Sequence, residues 1–449
     1  MSAPATVRAG VVGGGLGGAM MALYLARRGF EVRVFDRRPD LRREFVAGPS
    51  MNLGLSRRGI ESLSSVGLAD EVLRLAIPMN GRVVHDLDGG LAFQPYGRNG
   101  DEVIHAVRRN DINSVLLDAA ESSGNVRLCF GQRLFNLDRD RGEAWFRDEQ
   151  TGHESTETAD FWVGADGLFS TVRQLMQRKL RADYQQEFLD WGWKELRIPP
   201  GPGGTFRLEK NAFHLWPRGG AMLFAHPNPD GSFTCSLVLP LEGERSLESL
   251  SGAEQVQRFF EETFPDLVPL IPDLGDQFLA NRVVSLVTIR TSPWHYRDRV
   301  VLLADSAHAV VPFYAQGMNA AFEDCAVLDQ CLARHGTARA AAFAEYYALR
   351  RRHTDALAEM SKQNFLELRD KVRSPWLRGR RKLDNLLNRW LGESWAPLHA
   401  RVTNTTIPYA EALELERRQD RILAWTGLGL VAALLGAVSV LGTDRWRQE

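Results

Sequence analysis

The first residues whose spacing suggests chemistry lie near the N-terminus. Gly13, Gly15 and Gly18 fit the pattern G-x-G-x-x-G. In such a turn the first glycine permits the bend, the second lets a pyrophosphate reach the backbone, and the third lets helix pack on strand. The helix that follows would aim its free N–H groups, and about half a positive charge, at the phosphates. Asp36, with Arg37 beside it, closes the following strand and is placed to accept hydrogen bonds from a ribose. The chemistry expected is binding of a dinucleotide. A second match, Gly427-Leu428-Gly429-Leu430-Val431-Ala432, has no strand before it and is set aside. With no other dinucleotide fold visible, any nicotinamide nucleotide would bind transiently on existing surfaces.

The elements that must hold this turn follow from the patterning. Residues 7–12 read as a buried strand, Gly18 to Arg28 as a helix, and 31–35 as a second strand, which together make a βαβ unit. Helices are expected at 57–75 and 109–122, and strands through 126–164. Near Asp183 the character changes. Runs such as AFHLWP, AMLFAHP and FTCSLVLP suggest an antiparallel sheet as far as about 290. A strand at 299–305 and a helix from Met318 to Ala333 return to the first style, and 338–395 is largely helical. The fold class expected is α/β, a Rossmann-like domain with an antiparallel-sheet domain. The first is discontinuous, formed by 1–75, 100–182 and 290–337; the second takes 76–99 and 183–289. Residues 338–415 form a helical region capping the active site.

Composition narrows the partners. A net charge of −1 gives no electrostatic reason for nucleic-acid binding. Four scattered cysteines, Cys129, Cys235, Cys325 and Cys331, show no metal-ligand spacing and suit a reduced compartment. No signal peptide is seen before the first strand. Residues 422–441 run without a charge, and as a helix would match the thickness of a bilayer's hydrocarbon core. A transmembrane tail anchor is expected there, with the catalytic part facing the cytoplasm at a bacterial inner membrane or, in a eukaryote, a mitochondrial outer membrane.

Two later motifs identify the dinucleotide. Gly164-Ala165-Asp166-Gly167, followed by Ser170 and Arg173, resembles the DG motif of FAD-dependent aromatic hydroxylases. Ala304-Asp305-Ser306-Ala307-His308 resembles their GD motif, whose Asp holds the ribityl chain of FAD. Taken singly, one is an ordinary turn and the other a helix cap. Within that family the chain is most similar to the kynurenine 3-monooxygenases, over nearly its whole length. The resemblance rests on VVGGGLGG, PSMNLGLSRRG, AIPMNGRVVHDLDG, HLWPR, FTCSL and HAVVPFYAQGMNAAFEDC.

What the resemblance implies is specific. Tightly bound FAD would be held by Gly13, Gly15, Leu16, Gly18, Asp36, Arg37, Asn52, Arg108, Asp166, Asp305, Gly317, Met318 and Asn319. Arg82, Tyr96 and Asn364 match residues that hold an amino-acid carboxylate; without the motif, Arg82 reads as a surface arginine. Phe233, Phe313 and Gln316 belong to the pocket wall, or in the case of the phenylalanines to the core. NADPH would reduce FAD, and O₂ would give a C4a-hydroperoxyflavin that hydroxylates L-kynurenine beside its ring nitrogen. No protein catalytic group is needed, since the cofactor carries the chemistry; Glu323 and Asp324 read as first-turn acids of their helix. Five positions depart from the family pattern: Ala304 and Ala315 replace Gly, Pro49 stands where Arg is frequent, His399 replaces a carboxylate-binding Tyr, and Asp36 replaces a Glu. Two other readings stay open. One is the same chemistry on another aromatic amino acid or an anthranilate-like compound; the other is a membrane-anchored flavoprotein that does not hydroxylate.

Overall fold

The computed structural model describes residues 6–43, 51–97, 102–178, 180–371 and 375–426. Its first layer is a six-stranded sheet in the order His295–Tyr296, Val300–Leu302, Phe161–Gly164, Arg8–Val12, Glu31–Asp36, Val126–Phe130. All neighbours in it run parallel except the first pair. Its central strands, Arg8–Val12, Phe161–Gly164 and Val300–Leu302, are short runs buried almost throughout, as parallel strands covered by helices must be. The helix Leu16–Arg27 is buried almost throughout and packs in this core with Gly317–His335.

The second layer is a seven-stranded sheet in the order Val284–Ser292, Asp183–Ile198, Phe233–Pro240, Met222–Pro227, Ala212–Pro217, Gly81–His85, Leu91–Pro95. It is antiparallel except where Ala212–Pro217 meets Gly81–His85. Alternate residues divide between two cores. Leu196, Trp216, Leu223, Phe233, Cys235 and Leu237 pack with the helix Ala253–Thr263 on one face. Trp193, Leu215, Phe224 and Val238 face Phe313 and Phe365 on the other. Between the layers runs a small sheet of Asn52–Leu55, Ile104–Arg108 and Ile77–Met79. The helix expected at 57–75 is two, Arg57–Ser65 and Ala69–Arg74, broken at Gly67, whose φ of 74° stops the first.

The tail requires a correction. Among the described residues no helix is long and apolar enough to cross a membrane, so the transmembrane helix expected at 422–441 is not supported. Residues 409–426 are helical, but the chain there is mostly charged or polar before Ile422. Residues 427–441 of the expected span lie outside the described residues, as does Pro49.

Candidate active site

The glycine turn is built as its sequence requires. Gly13 has a φ of 106°, and a Cβ there or at Gly18 would overlap backbone atoms of Ala165 or Gly13. At Gly15 a Cβ would meet nothing closer than Arg38 Nη2 at 3.9 Å, so that side of the turn is open. Gly15 caps the following helix without any side-chain bond to its N–H groups, which leaves them to an anion.

Asp36 is buried and accepts from Gly14 N–H at 2.8 Å. It also accepts from Arg38 through backbone N–H at 2.8 Å, Nε at 3.1 Å and Nη2 at 2.8 Å. Burial favours its neutral form, but these bonds outweigh it and hold the carboxyl below the usual range. The arginine on Asp36 is therefore Arg38; Arg37 is exposed and has no ion pair among the described residues. Leu16 and Met318 lie in the apolar core, and Gly317 has open space where a Cβ would stand.

The two later motifs meet each other. Asp166 accepts from the Ser170 hydroxyl, from Thr171 N–H at 2.6 Å and Val172 N–H at 3.1 Å, and from the Ser306 hydroxyl at 3.2 Å. It thus caps the helix Thr171–Gln177 and holds the loop that carries Asp305. Asp305 differs: its carboxylate is exposed and accepts no hydrogen bond from any described residue. Arg109, absent from the sequence reading, is electrostatically coupled to Asp305, Glu195 and Asp36. Burial lowers its pKa, with Asp305 opposing, and raises Glu195 to about 7. Asn52 and Arg108 pair across two strands and share Asn228, whose Oδ1 accepts from Asn52 Nδ2 at 2.8 Å and Arg108 Nε at 3.2 Å. Asn228 was not legible as a site residue; nothing but a turn sequence marks it.

A second group of the expected residues gathers at one end of the aromatic core. Tyr96 stacks on His399 with ring centroids 5.5 Å apart, and His399 also lies against Tyr314. Arg82 donates from Nε to Gln94 Oε1 at 2.8 Å and opposes the burial that pushes Tyr96 up to about 12. Phe213 joins this end to the wall, packing near Tyr96 and stacking on Phe224 at 5.7 Å. Phe313 closes the far side against Phe365 at 4.7 Å, and Asn364 Nδ2 donates to Phe313 O at 2.6 Å. Gln316 is buried, its Oε1 accepting from Tyr409 OH at 3.0 Å and Ser56 OH at 3.4 Å. Asn319 ties the small sheet to its helix, accepting from Ser56 N–H at 3.0 Å and donating to Gly54 O at 2.8 Å.

Phe233 is placed elsewhere. It packs against Phe206 and His214 in the core on the opposite face of the sheet, and Val238 from the same strand packs with Phe313 and Phe365. Glu323 and Asp324 are not first-turn acids, because their helix begins at Gly317. Arg350 binds Asp324 through Nε at 2.6 Å and also Glu323, which Arg58 meets from the other side. His308 lies against Asp324, so the chain of charges begins at the loop of Asp305. Both family departures at glycine positions adopt glycine-like backbones: Ala304 has a φ of 54° and Ala315 a φ of 52°.

Comparison with known proteins agrees with this architecture. Residues 6–361 match the model of the FAD binding domain family. A kynurenine 3-monooxygenase of Salinispora arenicola is 51% identical over 94% of this chain and 94% of its own. That of Salinispora tropica is 49% identical over 98% of this chain and 97% of its own. An HpxO variant of Klebsiella pneumoniae, solved in complex with FAD, superposes with a TM-score of 0.68 at 19% identity. The match covers 87% of this chain and 100% of that one.

Proposed function

Because the chain belongs to the kynurenine 3-monooxygenase family of flavin monooxygenases, we propose that it hydroxylates L-kynurenine to 3-hydroxykynurenine, using FAD, NADPH and O₂. The residues present fit FAD. The open helix N-terminus at Gly15 suits the pyrophosphate, Asp36 the ribose, and the exposed carboxylate of Asp305 the ribityl hydroxyls. When bound, FAD supplies the electron transfer and oxygen activation that no protein side chain can.

The observation that carries the substrate reading is the meeting of Arg82, Tyr96 and His399 at one end of the aromatic core. A guanidinium offers a planar fork to a carboxylate, and each hydrogen bond to a charged group contributes about 1.5–3 kcal/mol. Phe213, Phe224 and Phe313 then hold an aromatic ring by apolar contact. Asn364 fixes the Phe313 carbonyl, and Gln316 is fixed by Tyr409 and Ser56, so the wall is set before the ligand arrives. Enclosure by these rings keeps water from the reacting ring carbon, and fixed placement lowers the entropic part of the barrier.

The test is NADPH consumption by the FAD-loaded protein with and without L-kynurenine, alongside product mass and H₂O₂. Strong stimulation with a product heavier by one oxygen supports the proposal. Stimulation that yields only peroxide moves the substrate to another aromatic amino acid or an anthranilate-like compound, and absence of stimulation removes kynurenine.

A further inference from the structure

The pocket wall contains one polar side chain that neither the sequence motifs nor the clamp uses. His226 lies on the strand Met222–Pro227, on the face shared by Met222 and Phe224. Its ring sits 4.8 Å from that of Phe213, at an interplanar angle of 58°. It makes no hydrogen bond to any described residue, although its neighbours Asn52, Asn228 and Thr234 are bonded among themselves. Burial, with His214 adding to the effect, pulls it down to about 4, so the imidazole is neutral at ordinary pH. A neutral imidazole has one N–H and one lone pair. Neither ring nitrogen is among the buried side-chain atoms left without a partner, so both stay accessible to a ligand.

Register fixes where a ligand must offer its partner. Arg82 lies across from Phe213, and the next strand pairs His214 with Ala225, which places Phe213 across from His226. Arg82, Phe213 and His226 therefore form a row across the sheet. Two strand spacings separate the ends, about 10 Å. A ligand whose carboxylate meets Arg82 and whose ring lies along Phe213 brings to His226 the substituent on the far side of that ring.

We propose that His226 is a specificity-determining residue that accepts a hydrogen bond from the ring amino group of an aromatic amino-acid substrate. The proposal rests on the kynurenine reading and adds the chemical reason for preferring an aryl amine. The amine donates to the imidazole lone pair, which orients the ring about the axis set by the carboxylate clamp. A ring without the amine forfeits that bond and leaves the imidazole unmet.

The test is equilibrium binding to the oxidised, FAD-loaded protein, read from the flavin absorbance change. L-Kynurenine is compared with its analogue lacking the ring amino group. The expected result is that His226→Leu weakens kynurenine binding about tenfold and leaves the analogue within about twofold, the loss of one hydrogen bond. His226→Gln, which keeps an acceptor, recovers part of the kynurenine affinity. FAD content per chain establishes that each variant is folded. Equal weakening of both ligands, or no weakening of either, overturns the role of His226 while the kynurenine reading stands. Wild-type protein that does not bind L-kynurenine overturns both.

Discussion

Tyr409 donates its phenolic hydrogen to the Oε1 of Gln316 at 3.0 Å, joining the C-terminal helix to the pocket wall. Both residues are buried, and the Arg58 guanidinium lies 4.0 Å from the Tyr409 ring centroid. Gln316 stands directly before the helix Gly317–His335 and keeps only the longer Ser56 contact if Tyr409 loses its hydroxyl. Tyr409→Phe should therefore cost about 1 kcal/mol of stability, the net value of one buried hydrogen bond. It should also raise the share of NADPH oxidation that ends as H₂O₂, because a looser wall admits water. Thermal melts and the ratio of peroxide to hydroxylated product check both outcomes.

Ala315 carries a test of backbone strain. It sits in the left-handed region, φ 52° and ψ 32°, with its Cβ facing Gly54. A left-handed alanine costs about 1–2 kcal/mol, whereas glycine adopts the conformation freely. Glycine also gives the unfolded chain extra entropy, which takes back about 0.4–1 kcal/mol. Ala315→Gly should then stabilise the protein by about 0.5–1 kcal/mol, seen as a rise in denaturation midpoint at unchanged slope. An Ala315→Val variant, β-branched at the same φ, should be destabilised.

Asp36 tests the cofactor cradle. Its carboxylate organises the glycine turn through Gly14 N–H, and in the proposed function it takes the ribose. Asp36→Ala removes a charge-assisted bond of about 1.5–3 kcal/mol, so FAD should dissociate some 10–100 times more readily. Flavin fluorescence released on dilution measures it. Arg37→Ala, at an exposed position beside it, should leave flavin retention unchanged.

The residues that sequence reading reached are those whose roles are local. The Asp166 cap depends on neighbours within a few positions, and Asp36 on the βαβ spacing that brings it to Gly14, 22 residues away, so spacing reveals them. Arg37 and Arg38 are equivalent as letters; the turn after Asp36 decides which one meets the acid. Phe233 was left open between wall and core for a different reason. Its strand, FTCSLVLP, is buried on both faces, and such a run has no alternation to show which residues face which core. The tail was read from apolar length alone, and among the described residues no such helix exists. Arg82, Tyr96, Asn364 and His399 were reached through motif resemblance alone, because they come from four separate elements; the fold brings Arg82, Tyr96 and His399 together, while Asn364 bonds to Phe313.

The buried charges offer a pH-linked prediction. Asp324 is fully buried, bound by Arg350 and His308, and Glu323 is held between Arg350 and Arg58. Burial raises the Asp324 pKa, but His308 and Arg350 together hold it below the usual carboxylate value. A depressed folded-state pKa means that its contribution is fully present above the unfolded value of about 4 and is lost as pH falls through the folded one. Stability should thus be flat in this contribution near neutrality and decline below about pH 4. Arg350→Met removes one partner and leaves both acids buried without it, which costs about 3–5 kcal/mol. In that variant Asp324 takes up a proton more readily, so the acid limb of the stability curve should be shallower even though the neutral-pH value is lower. Urea denaturation of the FAD-loaded protein between pH 3 and 8 measures both limbs. Parallel curves for the two proteins would show that Arg350 does not set the charge of Asp324.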